Sequence, residues 1–425
     1  MKTKAVRIHG ERDLRLDTFE LPPLRDDEIL GQVVSDSICM SSHKLAVQGA
    51  RHKRVRDNLS EKPAIIGHEF CGVIEQVGAR WAGAFRAGDR FAIQPALNYP
   101  DARGRGTLWA PGYSYQYIGG DATFIIIPPE VMEMRCLLPY TGDNYYLGSL
   151  AEPVSCIAGA FHAQYHTKEG SYRHAMGIVE GGSLILLAGA GPMGLGAIDY
   201  ALHNPRKPGR LVVTARDESR LERAARLLTV EDARRNGVDL IYVNTTALDD
   251  PVEALKAVNR GALYDDVFVF APAQPLLELG DRLLARDGCL NFFAGPTDPS
   301  FSGSLNFYNV HYEGHHVVGT SGGNTEDMKE ALALMADGDL NPVFMVTHIG
   351  GLDAAAQATL DLDKIPGGKK LIYTHKKMDL TAIDDFAEKG ITDPLFRRLG
   401  EICAAHRGLW NPEAEAYLLE HGDPI

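Results

Sequence analysis

The stretch "GSLILLAGAGPMGLGAIDYAL", residues 182–202, joins an apolar strand-like run to a helix-like run through a glycine-rich turn. Gly189 allows the tight turn, Gly191 lets the backbone approach a pyrophosphate, and Gly194 allows close packing of the helix. From here to about residue 320, strand-like and helix-like segments alternate, for example "RLVVTA", "ESRLERAARLL" and "VDLIYVN". The alternation predicts an α/β domain in which a doubly wound parallel sheet, covered by helices on both faces, binds a dinucleotide.

The second strand of this unit, "RLVVTARDESRL", bears on the choice of cofactor. An acidic residue at its end would bind the adenosine ribose of NAD(H), but the register places Ala215 there, with Arg216 next and Asp217 in the turn. A guanidinium suits a 2′-phosphate, so NADP(H) is favoured over NAD(H). Alternatively, Arg216 and Arg220 are solvated charges and Asp217 binds the ribose. The candidate cofactor-binding residues are Gly189, Gly191, Pro192, Met193, Gly194, Ala215, Arg216, Arg220, Ala271, Ala294 and Thr320.

A different pattern fills the first third of the chain, where short strand-like segments such as "KAVRIHG", "CGVIEQVG" and "ATFIIIP" are separated by Gly, Pro and Asp. It predicts a mostly antiparallel, barrel-like catalytic domain. Near residue 149 the spacing becomes helical, and Ser149 with Glu152 would form a capping box. Two strand-like segments after the amphipathic "EDMKEALALMADG" are expected to return to this first domain.

The predicted organisation is therefore two domains and an appendage. Residues 1–155 and 325–375 form the mostly-β catalytic domain, residues 156–324 form the parallel-sheet cofactor domain, and residues 376–425 form a helical C-terminal extension. In the extension, Asp or Asn before a helix, Pro near its start and Gly at its end mark three short helices. Its expected role is packing or oligomer contact.

Composition and charge exclude several classes of protein. The 43 basic and 56 acidic side chains give a formal charge of -13, which argues against nucleic acid or an anionic membrane as a partner. The six cysteines lie far apart without a C-x-x-C pair, so neither a disulfide framework nor a zinc ribbon is expected. The N-terminus lacks an apolar signal-peptide region, and no apolar run reaches the length of a membrane span. We therefore expect a cytoplasmic protein with reduced thiols.

A candidate metal site begins at Cys39 in "SDSICMSSHKLAVQG", residues 35–49. A free cysteine is often a buried thiol, but His68 and Glu69 follow an apolar run, where adjacent ionisable groups need partners. Thiolate and imidazole are zinc ligands, and either Glu69 or Glu152 would supply a third, leaving one position open as a catalytic zinc requires. The alternative for Glu152 is the helix-capping role.

These features, in this order, carry a family resemblance. The cysteine followed two positions later by a hydroxyl, the "GHE" before a glycine-valine strand, "EP", "GAGPMG" and the late "MVTHIGGLDAAAQA" lie within residues 1 to about 375. This part of the chain resembles the zinc-dependent medium-chain dehydrogenase/reductase superfamily, which includes alcohol and sorbitol dehydrogenases. Within it, "SDSICMSSHK", "IQPALNY", "APGYSYQYIGGDATFIIIP" and "NFFAGPTDP" look like the L-sorbose 1-phosphate reductase group.

The resemblance implies a GroES-like catalytic domain, a Rossmann domain and an active site in the cleft between them. It places one catalytic zinc on Cys39, His68 and Glu152, with Glu69 a direct or exchangeable ligand. Zinc would act as a Lewis acid on the substrate oxygen while hydride passes to or from the nicotinamide.

At other candidate site residues the chain departs in part from the pattern of the family that it resembles. Ser41 would be the proton relay, although a turn hydroxyl is the alternative, and Lys44 stands where some relatives have a relay histidine. Ser42 stands where most relatives have aspartate. Many relatives carry a four-cysteine structural zinc lobe, but residues 94–120 contain no cysteine, so no structural zinc is expected.

A sugar-phosphate substrate needs cationic groups in a chain of strongly negative charge. The run "ARHKRVRDN" supplies Lys53 and Arg54 beside His52 and Arg56, and Lys44 is a rival phosphate contact; the alternative is a solvated basic face. The period-two tyrosines of "PGYSYQYIGG" are expected to pack a strand face instead of lining the sugar site.

The resulting hypothesis is a zinc-dependent, NADP(H)-linked oxidoreductase that reduces L-sorbose 1-phosphate to D-glucitol 6-phosphate and assembles as a homodimer or homotetramer. One alternative is a zinc-dependent dehydrogenase of an unphosphorylated polyol or keto sugar. Others are a zinc-free reductase of the quinone oxidoreductase type and a non-catalytic dinucleotide-binding protein.

Overall fold

The computed structural model describes residues 1–56, 58–97, 109–168 and 170–425. They form two compact units: unit 1 consists of Met1–Glu152 and Val346–Ile425, and unit 2 of Pro153–Met345. Among the described residues, no helix has the length and apolar character that a membrane crossing requires.

Strands and helices are labelled in chain order over the described residues. The strands are β1 (Lys2–Gly10), β2 (Asp13–Glu20), β3 (Ile29–Ile38), β4 (Ala64–Ile65), β5 (Phe70–Val77), β6 (Arg90–Ile93), β7 (Phe124–Ile127), β8 (Leu137–Pro139), β9 (Tyr165–Thr167), β10 (His174–Met176), β11 (Ser183–Leu187), β12 (Arg210–Ala215), β13 (Asp239–Asn244), β14 (Tyr264–Val269), β15 (Leu284–Asn291), β16 (His316–Val318), β17 (Val346–Gly351), β18 (Lys369–Tyr373) and β19 (Thr381–Ala382). The helices are α1 (Met40–Gln48), α2 (Pro129–Glu133), α3 (Tyr145–Ala163), α4 (Pro192–His203), α5 (Glu218–Leu227), α6 (Val230–Arg235), α7 (Pro251–Val258), α8 (Gln274–Leu283), α9 (Phe307–Tyr312), α10 (Thr325–Ala336), α11 (Leu352–Leu360), α12 (Phe386–Lys389), α13 (Pro394–Ala405) and α14 (Pro412–His421). Short 3₁₀ helices occupy Gly49–Arg51, Ala79–Trp81, Pro342–Met345 and Ile383–Asp385.

Unit 1 is built mainly from antiparallel strands. Its larger sheet follows the order β19-β17-β18-β3-β5-β6-β8, with β7 also paired to β3, and a smaller sheet has the order β2-β1-β4. β3 is antiparallel to β18, β5 and β7, whereas β17 runs parallel to β18. Apolar side chains that include Ile29, Val33, Phe70 and Phe91 form one buried cluster. The predicted mostly antiparallel fold of the first domain is confirmed.

Unit 2 contains the predicted doubly wound parallel sheet. Its strand order is β13-β12-β11-β14-β15-β16, so the chain leaves β11 on one side and later returns on the other. Ile185, Val212, Val267 and Leu290 on its strands are fully buried. Apolar runs of this kind are typical of parallel strands that are covered on both faces.

Two predicted domain boundaries differ from the observed ones: the first was expected after residue 155 and falls after Glu152, and the second was expected after residue 324 and falls after Met345. Residues 325–345 were expected in the catalytic domain, but they belong to unit 2. α10 is held there because its Asp327 bonds to His162 at 2.8 Å and its Glu330 accepts a hydrogen bond from Tyr200 at 2.5 Å. Amphipathic spacing identified the helix but did not specify the surface on which it packs.

The C-terminal extension belongs to unit 1 instead of standing apart as an appendage. β19 pairs with β17 at one edge of the larger sheet. Buried Trp410, just before α14, donates from Nε1 to the hydroxyl of Tyr373 in β18 at 2.7 Å. Asp393 and Asn411 cap α13 and α14, each followed by a proline, as the sequence predicted. The extension thus completes the packing of the unit that carries the candidate metal ligands.

Candidate metal and dinucleotide sites

Cys39 and His68 come together because they lie at the same end of two neighbouring strands. Cys39 directly follows β3 and occupies the N-cap position of α1, while His68 and Glu69 directly precede the antiparallel β5. The ligand atoms of these three residues lie within 4.8 Å of one another; His68 and Glu69 are buried and Cys39 is half-buried. Three of the four predicted metal ligands therefore form one group.

Ser42 orients the imidazole of His68. Its hydroxyl is buried and lies 3.2 Å from His68 Nδ1, whereas Nε2 faces the opposite side of the ring. Burial lowers the pKa of His68 to about 4, against the opposing charge of Glu69, so the ring is neutral. In the tautomer that carries its proton on Nδ1, this proton is donated to Ser42 and the lone pair of Nε2 is left for a metal ion. Ser42 thereby makes the kind of outer contact that orients metal-bound histidines.

Glu69 is held by a lysine that the sequence analysis did not identify. Lys369 Nζ, at the start of β18, donates to both carboxylate oxygens of Glu69 at 2.5 Å. The side chains of Lys369 and Glu69 are 6% and 1% exposed. Burial alone would lower the pKa of Lys369, but the charges of Glu69 and Cys39 raise it, so the ammonium is retained. The two residues are 300 positions apart, and no local motif connects them.

Glu152 lies near this group but outside it. It is buried on α3, and its negative charge acts on both Cys39 and Lys369. Within the described ranges, the group with ligand atoms inside 4.8 Å comprises Cys39, His68 and Glu69. Burial raises the pKa of the Cys39 thiol to about 12, with the charge of Glu69 adding to this. A thiolate at this position therefore requires a cation beside it.

The capping box expected at Ser149 and Glu152 is absent, because α3 begins about one turn earlier, at Tyr145. Asn144 accepts a hydrogen bond from the third backbone N–H of the helix, and Glu415 accepts from the first two. Ser149 lies inside the helix and donates to the backbone of β3. Glu152 therefore takes no part in capping α3, and its carboxylate is buried.

Tyr113 adjoins the metal group, although the sequence analysis expected the tyrosines of "PGYSYQYIGG" to pack a strand face. Its hydroxyl lies 2.9 Å from Ser41 Oγ and 3.2 Å from His68 Nε2, and Ser41 Oγ lies 3.1 Å from Cys39 Sγ. The segment forms turns instead of a strand, because glycines such as Gly112, with φ of 78°, break the alternation. The glycines on both sides of these tyrosines, Gly112, Gly119 and Gly120, were the sequence signal that this segment forms turns.

The predicted phosphate-binding residues lie beside Tyr113. The His52 ring stacks on the Tyr113 ring with centroids 5.8 Å apart, and the Arg54 guanidinium lies 5.4 Å from the Tyr113 centroid. Burial lowers the pKa of His52 to about 4, and the charges of Arg54, Lys53 and Lys44 lower it further. The charges of three cationic side chains therefore act on one imidazole.

The glycine motif of unit 2 forms the turn between β11 and α4. A side chain at Gly194 would meet the carbonyl oxygen of Gly189 at 2.0 Å, so the third glycine is required for close packing of the turn against the helix. At Gly191, the N-cap of α4, an added Cβ would meet nothing within 4 Å. An open backbone at a helix N-terminus is the arrangement that accepts a pyrophosphate.

The other predicted cofactor residues follow the carboxyl ends of parallel strands. β12 ends at Ala215, as the register predicted, and Arg216 is exposed beyond it. Asp217 caps α5, accepting hydrogen bonds from the Arg220 backbone at 3.2 Å and the Ser219 hydroxyl at 2.7 Å. Positions just past the ends of β14, β15 and β16 are occupied by Ala271, Ala294 and Thr320.

Comparison with known proteins identifies the family. The alcohol dehydrogenase GroES-like domain model matches residues 25–135, and the zinc-binding dehydrogenase model matches residues 192–337. Mannitol-1-phosphate 5-dehydrogenase of Aliivibrio fischeri is 53% identical over 99% of this chain and 98% of its own length. L-sorbose 1-phosphate reductase of Klebsiella pneumoniae is 50% identical over 100% of this chain and 98% of its own length. The crystal structure of 2R,3R-butanediol dehydrogenase from Bacillus subtilis shares the fold, with TM-score 0.69 and 20% identity over 88% of this chain and 99% of that chain.

Proposed function

The chain belongs to the zinc-binding dehydrogenases of the alcohol dehydrogenase type, and on that basis we propose that it is an NADPH-linked reductase of a ketose phosphate. The relatives named for L-sorbose 1-phosphate and mannitol 1-phosphate match nearly the whole chain. The proposed reaction is reduction of L-sorbose 1-phosphate to D-glucitol 6-phosphate.

The six cysteines are all free, which supports a cytoplasmic location.

The donors of the metal group suit zinc, which takes thiolate, imidazole and carboxylate ligands. We assign one zinc per chain to Cys39, His68 and Glu152, with Glu69 as a direct or exchangeable ligand. When bound, zinc supplies Lewis-acid polarisation of the substrate carbonyl. Ser41, whose hydroxyl lies between Cys39 and His68, would give the product oxygen its proton as hydride reaches the carbon. The proposed absence of a structural zinc rests on residues 94–120, of which residues 98–108 lie outside the described ranges.

The observation that carries the choice of a phosphorylated substrate is the basic group beside the metal ligands. Lys44, Lys53 and Arg54 act together on His52, and Arg54 stacks on Tyr113, whose hydroxyl touches His68. Cationic side chains grouped beside the candidate metal ligands would attract the phosphate of a sugar-phosphate substrate.

Arg54→Gln is expected to lower kcat/KM for L-sorbose 1-phosphate by roughly 10- to 100-fold, the effect of losing one or two charge-assisted hydrogen bonds. Activity on free L-sorbose should change little, because it offers no phosphate. The matched control is Arg51→Gln, which removes an exposed arginine paired with Glu11 at 2.9 Å. A panel of ketose 1-phosphates, free ketoses and polyols with both cofactors measures these values. Equal efficiency on free polyols would favour the unphosphorylated alternative.

The proposed preference for NADPH rests on Arg216 and on the involvement of Asp217 in capping. Asp217 already accepts two hydrogen bonds within α5, so a ribose would have to compete for it. Arg216 follows the strand end and has an exposed side chain that can receive a 2′-phosphate. Arg220 lies one turn along, with Nε 3.7 Å from Asp217.

The kcat/KM ratio of NADPH to NADH is expected to exceed one, and Arg216→Ala is expected to reduce it about tenfold, since a charge-assisted phosphate contact is lost. Arg235→Ala, which removes an exposed arginine on α6 paired with Asp232, should leave the ratio unchanged. Steady-state kinetics with both cofactors provide the test. A wild-type preference for NADH would contradict the proposal.

We further propose that the chain assembles as a homodimer or homotetramer through unit 2. Phe307, Tyr308 and Tyr312 on α9 and Val317 on β16 are exposed large apolar side chains, and β16 is an edge strand. An exposed edge strand beside an apolar patch is typical of an association surface. Light scattering should give at least twice the chain mass of 46.4 kDa, and Phe307→Lys with Tyr312→Lys should shift it toward the monomer. A monomeric wild-type protein would refute this assembly.

A further inference from the structure

Helix α3, which carries Glu152, has a proline directly after that residue. Pro153 lies inside the helix and has no N–H to donate to the carbonyl of Ser149, so one bond of the helical ladder is missing. Residues 145–152 form the first two turns of the helix, and Ser149 within them is bonded to Ser35 of β3. Contacts at the N-terminal end of α3 lie about two turns before Glu152.

The main anchor at that end comes from the C-terminal extension. Glu415 on α14 accepts hydrogen bonds from the backbone N–H of Tyr145 at 2.6 Å and of Tyr146 at 2.9 Å, using one carboxylate oxygen for each. These are the first two N–H groups of α3, which have no partner inside the helix. The positive end of the helix dipole favours a carboxylate at this position.

Glu415 is itself fixed by a buried chain of hydrogen bonds. It is 2% exposed and also accepts from the hydroxyl of Tyr373 at 2.8 Å. Trp410 Nε1 donates to the same hydroxyl at 2.7 Å, and Asn411 caps the helix on which Glu415 lies. The carboxylate is thus placed by β18 and the extension together. A buried carboxylate with this many partners has a defined position.

We propose that the C-terminal extension positions the metal centre: Glu415 holds the start of α3 so that Glu152, two turns along, is presented to Cys39 and His68. This inference rests on the proposed zinc site and gives a function to residues beyond both matched domain models, which end before residue 338. Glu415 is a positioning residue, since it acts through Glu152 and touches neither metal nor substrate. Outer residues that orient metal ligands typically change metal affinity 10- to 100-fold.

The test is the zinc dissociation constant of the metal-free full-length chain, measured by competition with a chromophoric chelator. Glu415→Ala is expected to raise it about tenfold, and Glu415→Gln, which keeps one acceptor oxygen, by a smaller factor. Glu413→Gln on the same helix, where the glutamate is exposed and paired with Arg398, should leave it unchanged. Circular dichroism verifies that each variant is folded.

The decisive comparison is a double-mutant cycle with Glu152→Gln. If Glu415 acts through Glu152, Glu415→Ala no longer weakens zinc binding in the Glu152→Gln background. An unchanged dissociation constant in the single variants, or an equal loss in both backgrounds, would overturn the positioning role. Cys39→Ala tests the proposed zinc site separately from the positioning role of Glu415. If this variant binds zinc as tightly as the wild type, the proposed metal site itself fails.

Discussion

Cys39→Ala is expected to abolish stoichiometric zinc binding and to lower kcat/KM by about a thousandfold. The thiolate is the charged ligand that zinc binds most tightly in this donor set. Lewis-acid stabilisation of the reacting oxygen is worth several kcal/mol, and about 4 kcal/mol corresponds to the thousandfold loss. The side chain makes no capping hydrogen bond to α1, so the fold of the metal-free protein should be retained.

Zinc per chain, measured by mass spectrometry after dialysis, and steady-state kinetics on the same samples provide the measurement. Cys156→Ala is the matched control, because Cys156 is also half-buried but lies outside the metal group. Its variant should keep one zinc per chain. A Cys39→Ala protein with full zinc and full activity would remove Cys39 from the site. Full activity of the wild type after complete metal removal would favour the zinc-free alternative.

Lys369→Met is expected to destabilise unit 1 by about 3–5 kcal/mol, the usual result of removing one partner of a buried ion pair. Glu69 would then be left as a carboxylate with 1% of its side chain exposed and without its ammonium partner. Burying an unpaired charge is far more costly than burying an uncharged side chain of similar size. The variant Lys369→Met with Glu69→Gln should therefore recover most of the lost stability.

Urea unfolding of the metal-free protein, followed by tryptophan fluorescence, is suited to this prediction. All three tryptophans, Trp81, Trp109 and Trp410, belong to unit 1, so the signal reports on that unit. Lys364→Met is the control, since Lys364 forms an exposed ion pair with Asp361 and should change stability little. A small effect of Lys369→Met on the free energy of unfolding, or an additive loss in the double variant, would show that the Lys369–Glu69 ion pair does not stabilise unit 1.

The predictions from sequence succeeded where the chemistry is encoded locally. The glycine turn at Gly189, the end of β12 at Ala215 and the caps at Asp393 and Asn411 each depend on backbone geometry or short-range hydrogen bonds. Cys39 and His68 were also predicted together, from their ligand chemistry and the family resemblance, and the pairing of β3 with β5 brings them to the same edge. The roles assigned to Ser41, Lys44 and the cofactor residues remain predictions.

Long-range partners could not be predicted in this way. Lys369 lies 300 residues from Glu69, and a lysine at the start of an apolar strand carries no signal for a buried carboxylate. The start of α3 was misplaced for a related reason. One of its caps, Glu415, is supplied 270 residues later in the chain, so the local pattern pointed to Ser149 instead.

By itself the sequence determined the two fold types and the glycine turn at Gly189, because residue type and spacing encode turns and periodicity, and with the family resemblance it predicted Cys39 and His68 as metal ligands. The tertiary structure decided which charge stabilises Glu69, which hydroxyls face His68 and what holds the helix of Glu152. These depend on strand pairing and on packing of the C-terminal extension. Coulomb and hydrogen-bond energies depend on distance in space, and separation along the chain does not fix that distance.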